Sequence, residues 1–269
     1  MKDMSFEVVR PWEGYHIRYA MFDFDGTISL IRQGWQEIMI PYFMEVITAT
    51  GTMETQEQIH DLVREFVDRL TGKQTIYQCM ALDDAVVARG GEKRDPGEYK
   101  KEYLRRLGER IRDRKKALEQ GADPESYMVP GALAFIRALQ QRGIACYLAS
   151  GTDEADVRYE ASLLGLDKIF GENIRGALDA ETTCAKELVI RQLLREEGIS
   201  PKELVSFGDG YVEIELVANL GGLAIGAATN EQTREGVDQW KRGRLISAGA
   251  NAIIPDFRNT EQILQNIGI

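Results

Sequence analysis

Along this chain the apolar positions follow two rhythms. Short, nearly continuous apolar runs recur at 19–24, 144–149, 203–207, 222–227 and 251–255. Such runs suit strands of a parallel sheet that is covered on both faces. The first ends in a turn at Gly26, the second at Ser150 and Gly151, the third at Gly208, Asp209 and Gly210. Between the runs the period lengthens to that of a helix. Residues 131–142 put Leu133, Ile136 and Leu139 on one side and stop at Gly143; residues 154–164 stop at Gly165. Residues 184–197 carry Leu188, Val189, Gln192 and Leu193 and stop at Gly198. A glycine just past a helix is a C-terminal cap signal. Strand alternating with helix predicts βαβ units and an α/β fold, a Rossmann-like doubly wound parallel sheet.

Residues 33–128 break this alternation and read as almost wholly helical. Ile59, Leu62, Val63, Phe66, Val67 and Leu70 keep the spacing of one helix face. Residues 97–120 read as one long polar helix with a thin stripe of Leu104, Leu107 and Ile111. Val129, Pro130 and Gly131 return the chain to strand and helix. The expected organisation is therefore a core of residues 1–30 and 129–269 with an all-helical domain, 31–128, inserted after the first strand. Residues 1–18, with Trp12 and Tyr15, can form a small hairpin over the core.

Composition narrows the function. The 269 residues carry a formal net charge of −10, and 43% are hydrophobic, which is ample for a buried core. An acidic balance argues against a nucleic-acid partner, whose backbone is bound by clustered lysine and arginine. The one locally basic stretch, Arg105 to Lys116, reads as a solvated helix face. Cys79, Cys146 and Cys184 lie far apart, and His16 and His60 lie far from them, so neither a zinc site nor a disulfide framework is expected. A reducing, cytoplasmic setting fits this usage. No stretch nears the ~20 apolar residues of a membrane span, so no membrane partner is expected.

Ligands of a parallel α/β sheet bind at the carboxyl ends of its strands. The first strand ends in Asp23, Phe24, Asp25, Gly26 and Thr27. Carboxylates two residues apart at a strand end can face one side, so one can attack a phosphorus while the other handles a proton. Leu148 to Thr152 end the second run, Lys186 opens a helix, and Ser206 to Glu213 close the third run with an acidic turn.

These segments, in this order, resemble the motifs of the haloacid dehalogenase superfamily of phosphohydrolases. The resemblance covers roughly 19–30 and 129–256, and the helical insert matches the cap of its phosphoglycolate phosphatase and β-phosphoglucomutase-like members. It implies Asp23 as the nucleophile that forms an aspartyl-phosphate, and Asp25 as the acid and base. It implies Mg²⁺ held by Asp23, the Asp25 carbonyl and Asp209, with Glu213 standing where the family often has aspartate. Ser150, the Gly151 amide and Lys186 would neutralise the phosphoryl oxygens. In such caps a glycine-containing loop reads the substrate, which nominates Lys73 and Gln74; Arg32, Gln33 and Trp35 follow the first motif and can line the same entrance. The substrate would be a small phosphate ester, a sugar or polyol phosphate.

Each residue also has a plainer reading. Asp23, Asp25 and Asp209 suit turns, and Ser150 and Thr152 suit a helix N-cap beside Asp153 and Glu154. Lys186 alone is a solvated helix lysine, Glu213 a surface helix residue, and the loop around Lys73 an ordinary connection. Gly72 and Lys73 lack the rest of a phosphate loop. A phosphosugar mutase shares Asp23 and Asp25, and a non-catalytic module that accepts phosphate on Asp23 is a third possibility. A dehalogenase would not need Asp25, and a phosphonatase typically replaces it.

Overall fold

The computed structural model describes residues 5–178, 184–195 and 198–269. The chain divides into two compact units: the chain up to Gln33 with everything from Arg114 onward, and the segment Gly34–Asp113.

The smaller unit is helical. It holds α1 (Gln36–Thr48), α2 (Gln56–Leu70), α3 (Thr75–Val87) and most of α4 (Pro96–Glu119). Thr55 caps α2 by accepting from the Gln58 amide, and Gln58 returns the bond to the Thr55 amide. The face of α2 that points inward is Ile59, Val63, Phe66, Val67 and Leu70, with Phe66 stacked on Phe43 of α1 at 5.9 Å. On α4 the buried stripe within this unit is Tyr99, Tyr103, Leu107 and Ile111, four residues apart throughout. Leu104 is only half-buried, because the two tyrosines take the inward positions that the aliphatic residues alone had suggested.

The larger unit is built on a seven-stranded sheet. Its strands are β1 (Glu7–Val8), β2 (Tyr19–Phe22), β3 (Ala145–Asp153), β4 (Ile174–Ala177), β5 (Leu204–Gly208), β6 (Leu223–Ala227) and β7 (Ala252–Ile254). The spatial order is β1-β7-β6-β5-β2-β3-β4. All neighbours pair in parallel except β1, which runs antiparallel along β7. The chain moves outward from β2 to β4, then jumps back across β2 to β5. That reversal beside β2 is the switch point where such sheets bind ligands. Two strands had no counterpart among the apolar runs. Arg175 and Gly176 dilute β4, and β1 is only two residues long. In place of a hairpin, β1 adds one strand to the sheet edge, and Phe6 lies 6.2 Å from the Trp12 ring. The first four residues of that expected hairpin lie outside the described residues.

Helices α5 (Ala132–Gln141), α6 (Glu154–Leu163), α7 (Asp167–Phe170), α8 (Ala185–Arg195), α9 (Tyr211–Leu220), α10 (Gln239–Ala248) and α11 (Thr260–Ile267) cover the sheet. The expected last turn of α8 falls on residues 196 and 197, outside the described residues. Successive strand residues face opposite ways. Met21 therefore joins Val189 and Leu193 of α8, Ile214 and Val217 of α9 and Leu245 of α10 in one apolar cluster. Phe22 faces the other layer, stacking on Phe207 at 5.0 Å and meeting Phe135 of α5 edge-on at 6.2 Å. Phe257 stacks on Phe135 at 5.1 Å. No helix among the described residues is long and apolar enough to cross a membrane.

Gly131 sets the start of α5 at φ +79°, and a Cβ there would lie 2.5 Å from the backbone of Phe257 and Arg258. Gly131→Ala is expected to lower stability by more than about 1 kcal/mol, read as a lower denaturant midpoint with an unchanged slope.

Candidate active site

Register places the candidate residues. Phe22 of β2 pairs with Phe207 of β5 on one side and Leu148 of β3 on the other. The residues just beyond those three positions therefore emerge together at one sheet edge: Asp23, Asp209 and Ser150. The Asp23 amide continues the ladder by donating to the Phe207 carbonyl at 2.9 Å.

Asp23 is buried with both carboxylate oxygens held. Oδ1 accepts from the Phe24 amide at 2.8 Å, and Oδ2 lies 2.9 Å from Lys186 Nζ. The same ammonium lies 2.5 Å from Glu213 Oε2. Lys186 is 1% exposed and Glu213 is fully buried, so this lysine is no solvated helix residue. Glu213 Oε1 accepts from the Gly210 amide at 2.9 Å, which caps α9. Gly208 makes room for this, since a Cβ there would lie 2.0 Å from Glu213 Oε1.

The turn after Asp23 depends on Gly26. Its φ is +76°, and a Cβ would fall 2.3 Å from Asp209 Oδ2. Thr27 ties the turn to the third strand end: the Asp209 amide donates to its hydroxyl at 2.9 Å, and the hydroxyl lies 3.3 Å from Asp209 Oδ1. Asp25 then faces β3. Its Oδ2 accepts from Thr152 Oγ1 at 2.8 Å and from Ser150 Oγ at 3.3 Å. Neither hydroxyl caps α6, whose N-cap position is Asp153 and which has no side-chain capping bond, so the N-cap reading of Ser150 and Thr152 does not hold. Gly151 lies between them in β3. Asp25 Oδ1 is enclosed without a hydrogen-bond partner among the described residues, 3.9 Å from Arg32 Nε.

Arg32 is buried and heavily engaged. Its Nε lies 3.0 Å from Glu160 Oε2, and its Nη2 lies 2.9 Å from Glu160 Oε1 and 3.0 Å from Asp156 Oδ2. Lys115 adds a second cation, 3.3 Å from Glu160 Oε1. Lys73 and Gln74 belong to the helical unit. Lys73 is exposed; Gln74 opens α3 and is buried, with its Nε2 lacking a hydrogen-bond partner among the described residues. Trp35 is half-buried at the start of α1.

The electrostatics follow from enclosure. Burial pushes the Asp23 carboxyl up to about 7; Lys186 pulls it down, and Glu213 and Asp209 add to the rise. Burial likewise pushes Asp25 to about 7 against the pull of Arg32, with Glu160 and Asp23 adding to it. Glu213 is also raised, chiefly by burial and against Lys186. Burial works against the charge of Lys186, yet Asp23 and Glu213 hold it above the ordinary lysine value.

Asp23, Asp209 and Glu213 each offer an oxygen within 4.8 Å of the others. An all-oxygen, carboxylate-rich set suits a hard divalent cation such as Mg²⁺. The site also contains a residue with no signal in the sequence. Lys241 Nζ lies 2.6 Å from Asp209 Oδ2 and 2.6 Å from Glu231 Oε1. It comes from α10, and only the folded chain brings it to this edge.

A family model for haloacid dehalogenase-like hydrolases matches residues 17–221. No curated protein matches the sequence. Among solved structures, β-phosphoglucomutase from Clostridium difficile is 11% identical, with a TM-score of 0.62 over 94% of this chain and 97% of that one. A predicted phosphoglycolate phosphatase from Haemophilus somnus 129pt is 16% identical, with a TM-score of 0.60 over 93% and 98%. CbbY from Rhodobacter sphaeroides, solved with xylulose-(1,5)bisphosphate, is 18% identical, with a TM-score of 0.53 over 90% and 96%.

A carboxyl raised in the fold favours the protonated state, so its contribution to stability falls as pH rises from 3.8 to about 7. In chelator, Asp25→Asn is therefore expected to melt above the parent protein at pH 8, with a smaller difference at pH 5. Thermal melts at both pH values check this.

Proposed function

The chain belongs to the haloacid dehalogenase-like hydrolases, and on that footing we propose that it is a Mg²⁺-dependent phosphatase of a small phosphorylated metabolite, a sugar or polyol phosphate. One observation carries the reading. Asp23 stands at the central strand end, gripped by the Phe24 amide and Lys186, with a second carboxyl two residues on.

In the first step an Asp23 oxygen attacks phosphorus and the bond to the ester oxygen breaks, leaving an aspartyl-phosphate. Covalent catalysis of this kind divides one difficult displacement into two easier ones. Asp25 gives its proton to the departing oxygen. A carboxyl pushed up to about 7 is well matched to that task near neutral pH. Ser150 and Thr152 orient it through Oδ2. In the second step Asp25 takes a proton from water, the water oxygen attacks phosphorus, and the acyl-phosphate bond breaks to return Asp23. Lys186, Ser150 and the Gly151 amide face the charge of the transferring group. Mg²⁺, held by Asp23, the Asp25 carbonyl and Asp209 with Glu213 beside them, would supply further neutralisation of the phosphoryl oxygens.

The helical unit, with Lys73 and Gln74, is read as the cap that selects the substrate. Arg32 enters as a positioning group beside Asp25, because Glu160 and Asp156 already occupy its guanidinium. The fold shared with CbbY makes sugar phosphates the first class to try.

Phosphate release from a panel of phosphorylated metabolites tests the proposal. Release is expected with Mg²⁺, lost in excess chelator, and reduced by about 10³-fold or more in Asp23→Asn. Undiminished release from Asp23→Asn would contradict it. Turnover that requires a bisphosphate primer would favour the mutase instead. Lys73→Ala is expected to change the ranking of substrates by kcat/KM without moving the melting temperature; an unchanged ranking would remove Lys73 from the cap reading.

A further inference from the structure

Lys241 occupies an unusual position for a cation. Its side chain is 12% exposed, and its ammonium bridges Asp209 Oδ2 and Glu231 Oε1 at 2.6 Å each. Burial works against its charge, but Asp209 and Glu231 hold it above the ordinary lysine value. A positive group bonded to a metal-ligating carboxylate needs an explanation, since it repels the ion that the carboxylate would hold.

The surroundings show that the bridge is fixed at both ends. Lys241 lies in the first turn of α10, where Asp238 accepts from the amides of Trp240 at 2.9 Å and Lys241 at 3.0 Å. Glu231 stands in a turn that Asn230 closes by accepting from the amides of Gln232 and Thr233 at 3.1 Å each. Gln33 Nε2 donates to the Glu231 carbonyl at 2.8 Å. Arg234 ties the same loop to the carbonyls of Ser126 at 3.2 Å and of Glu125 and Met128 at 2.8 Å each. The Asp209 end is fixed by Thr27, as described above.

The consequence lies at Asp209. Its Oδ2 is taken by the ammonium, while among the described residues Oδ1 has only the Thr27 hydroxyl, at 3.3 Å. A carboxylate held in this way has one oxygen to give. Mg²⁺ takes single oxygens in a tight octahedron, whereas Ca²⁺ takes 6–8 oxygens at longer range and readily uses both oxygens of one carboxylate. We propose that Lys241, anchored by Glu231, restricts Asp209 to one ligand oxygen and thereby selects Mg²⁺ over Ca²⁺. Lys241 is thus a positioning residue and touches no reacting atom. The inference rests on the metal-dependent reading of the site given above.

The test is calorimetric titration of Mg²⁺ alone and Ca²⁺ alone into the full-length protein, without substrate. The central variant is Lys241→Met combined with Glu231→Gln. It removes one positive and one negative charge, so the local net charge is kept, and it also removes Glu231 as a stray ligand. The Ca²⁺-to-Mg²⁺ affinity ratio of this variant is expected to rise at least fivefold over the parent. Lys241→Arg keeps a cation that can bond both carboxylates, and its ratio should stay within twofold. A rise of less than fivefold in the double variant overturns the inference, as does an Arg variant that shifts as far as the double variant. Should the methionine variant not fold by circular dichroism, Lys241→Ala with Glu231→Gln is read by the same threshold. Failure of the parent protein to bind Mg²⁺ at all would overturn the metal reading itself; an unchanged ratio in a protein that binds Mg²⁺ overturns only the role of Lys241.

Discussion

A single buried ammonium organises this site. Lys186 is almost without solvent and lies between Asp23 and Glu213, both enclosed with it. Water's stabilisation of its charge is gone, and two carboxylates replace it. The same exchange pulls against the rise that burial imposes on each carboxyl, and offsets it only in part. Because the three groups depend on one another, the local backbone must bring them together closely. Gly208 leaves the space that the Glu213 carboxylate fills, and the Gly210 amide fixes its other oxygen. The Phe24 amide fixes the other oxygen of Asp23. In the proposed reaction, a carboxylate held by an amide and an ammonium would need little reorganisation before attacking phosphorus.

Around this centre stand two further charge clusters of similar design. Arg32 and Lys115 face Glu160, and Arg32 lies beside the enclosed oxygen of Asp25. Lys241 faces Glu231 and Asp209. Asp25 and Asp209 thus each have a cation beside them, and each of these two cations is shared with a carboxylate to which no chemical role is assigned. Shared in this way, a cation can orient an acid without claiming it wholly. The sheet supplies the frame: the aromatic layer of Phe22, Phe207, Phe135 and Phe257 lies directly beneath the strand ends that carry Asp23 and Asp209.

The strand ends that carry the candidate site were legible in the amino-acid sequence for a physical reason. Strands buried on both faces leave unbroken apolar runs, and the turns that end them stand out as polar residues and glycines. Asp23, Ser150 and Asp209 all lie at such junctions. β4 was not legible, because Arg175 and Gly176 interrupt it; α4 was legible as a helix with Leu107 and Ile111 inward, but Tyr99 and Tyr103 stand in its buried stripe where Leu104 was expected. Glu160, Glu231 and Lys241 gave no signal. Each is one charged residue on a helix or loop remote in sequence from its partner, and nothing local separates it from a solvated one. The haloacid dehalogenase resemblance supplied roles for the motif residues. It said nothing of these three, which surround the motifs instead of belonging to them.

Phosphorylation of Asp23 during turnover is the step on which the proposed reaction stands. Rapid quenching of the enzyme during turnover of an active phosphate ester, followed by borohydride reduction, converts an aspartyl-phosphate to homoserine that mass spectrometry can locate. The account predicts homoserine at position 23, dependent on substrate and absent when substrate is omitted. Rapid phosphate release with no modification at Asp23, or with modification at another residue, would contradict it.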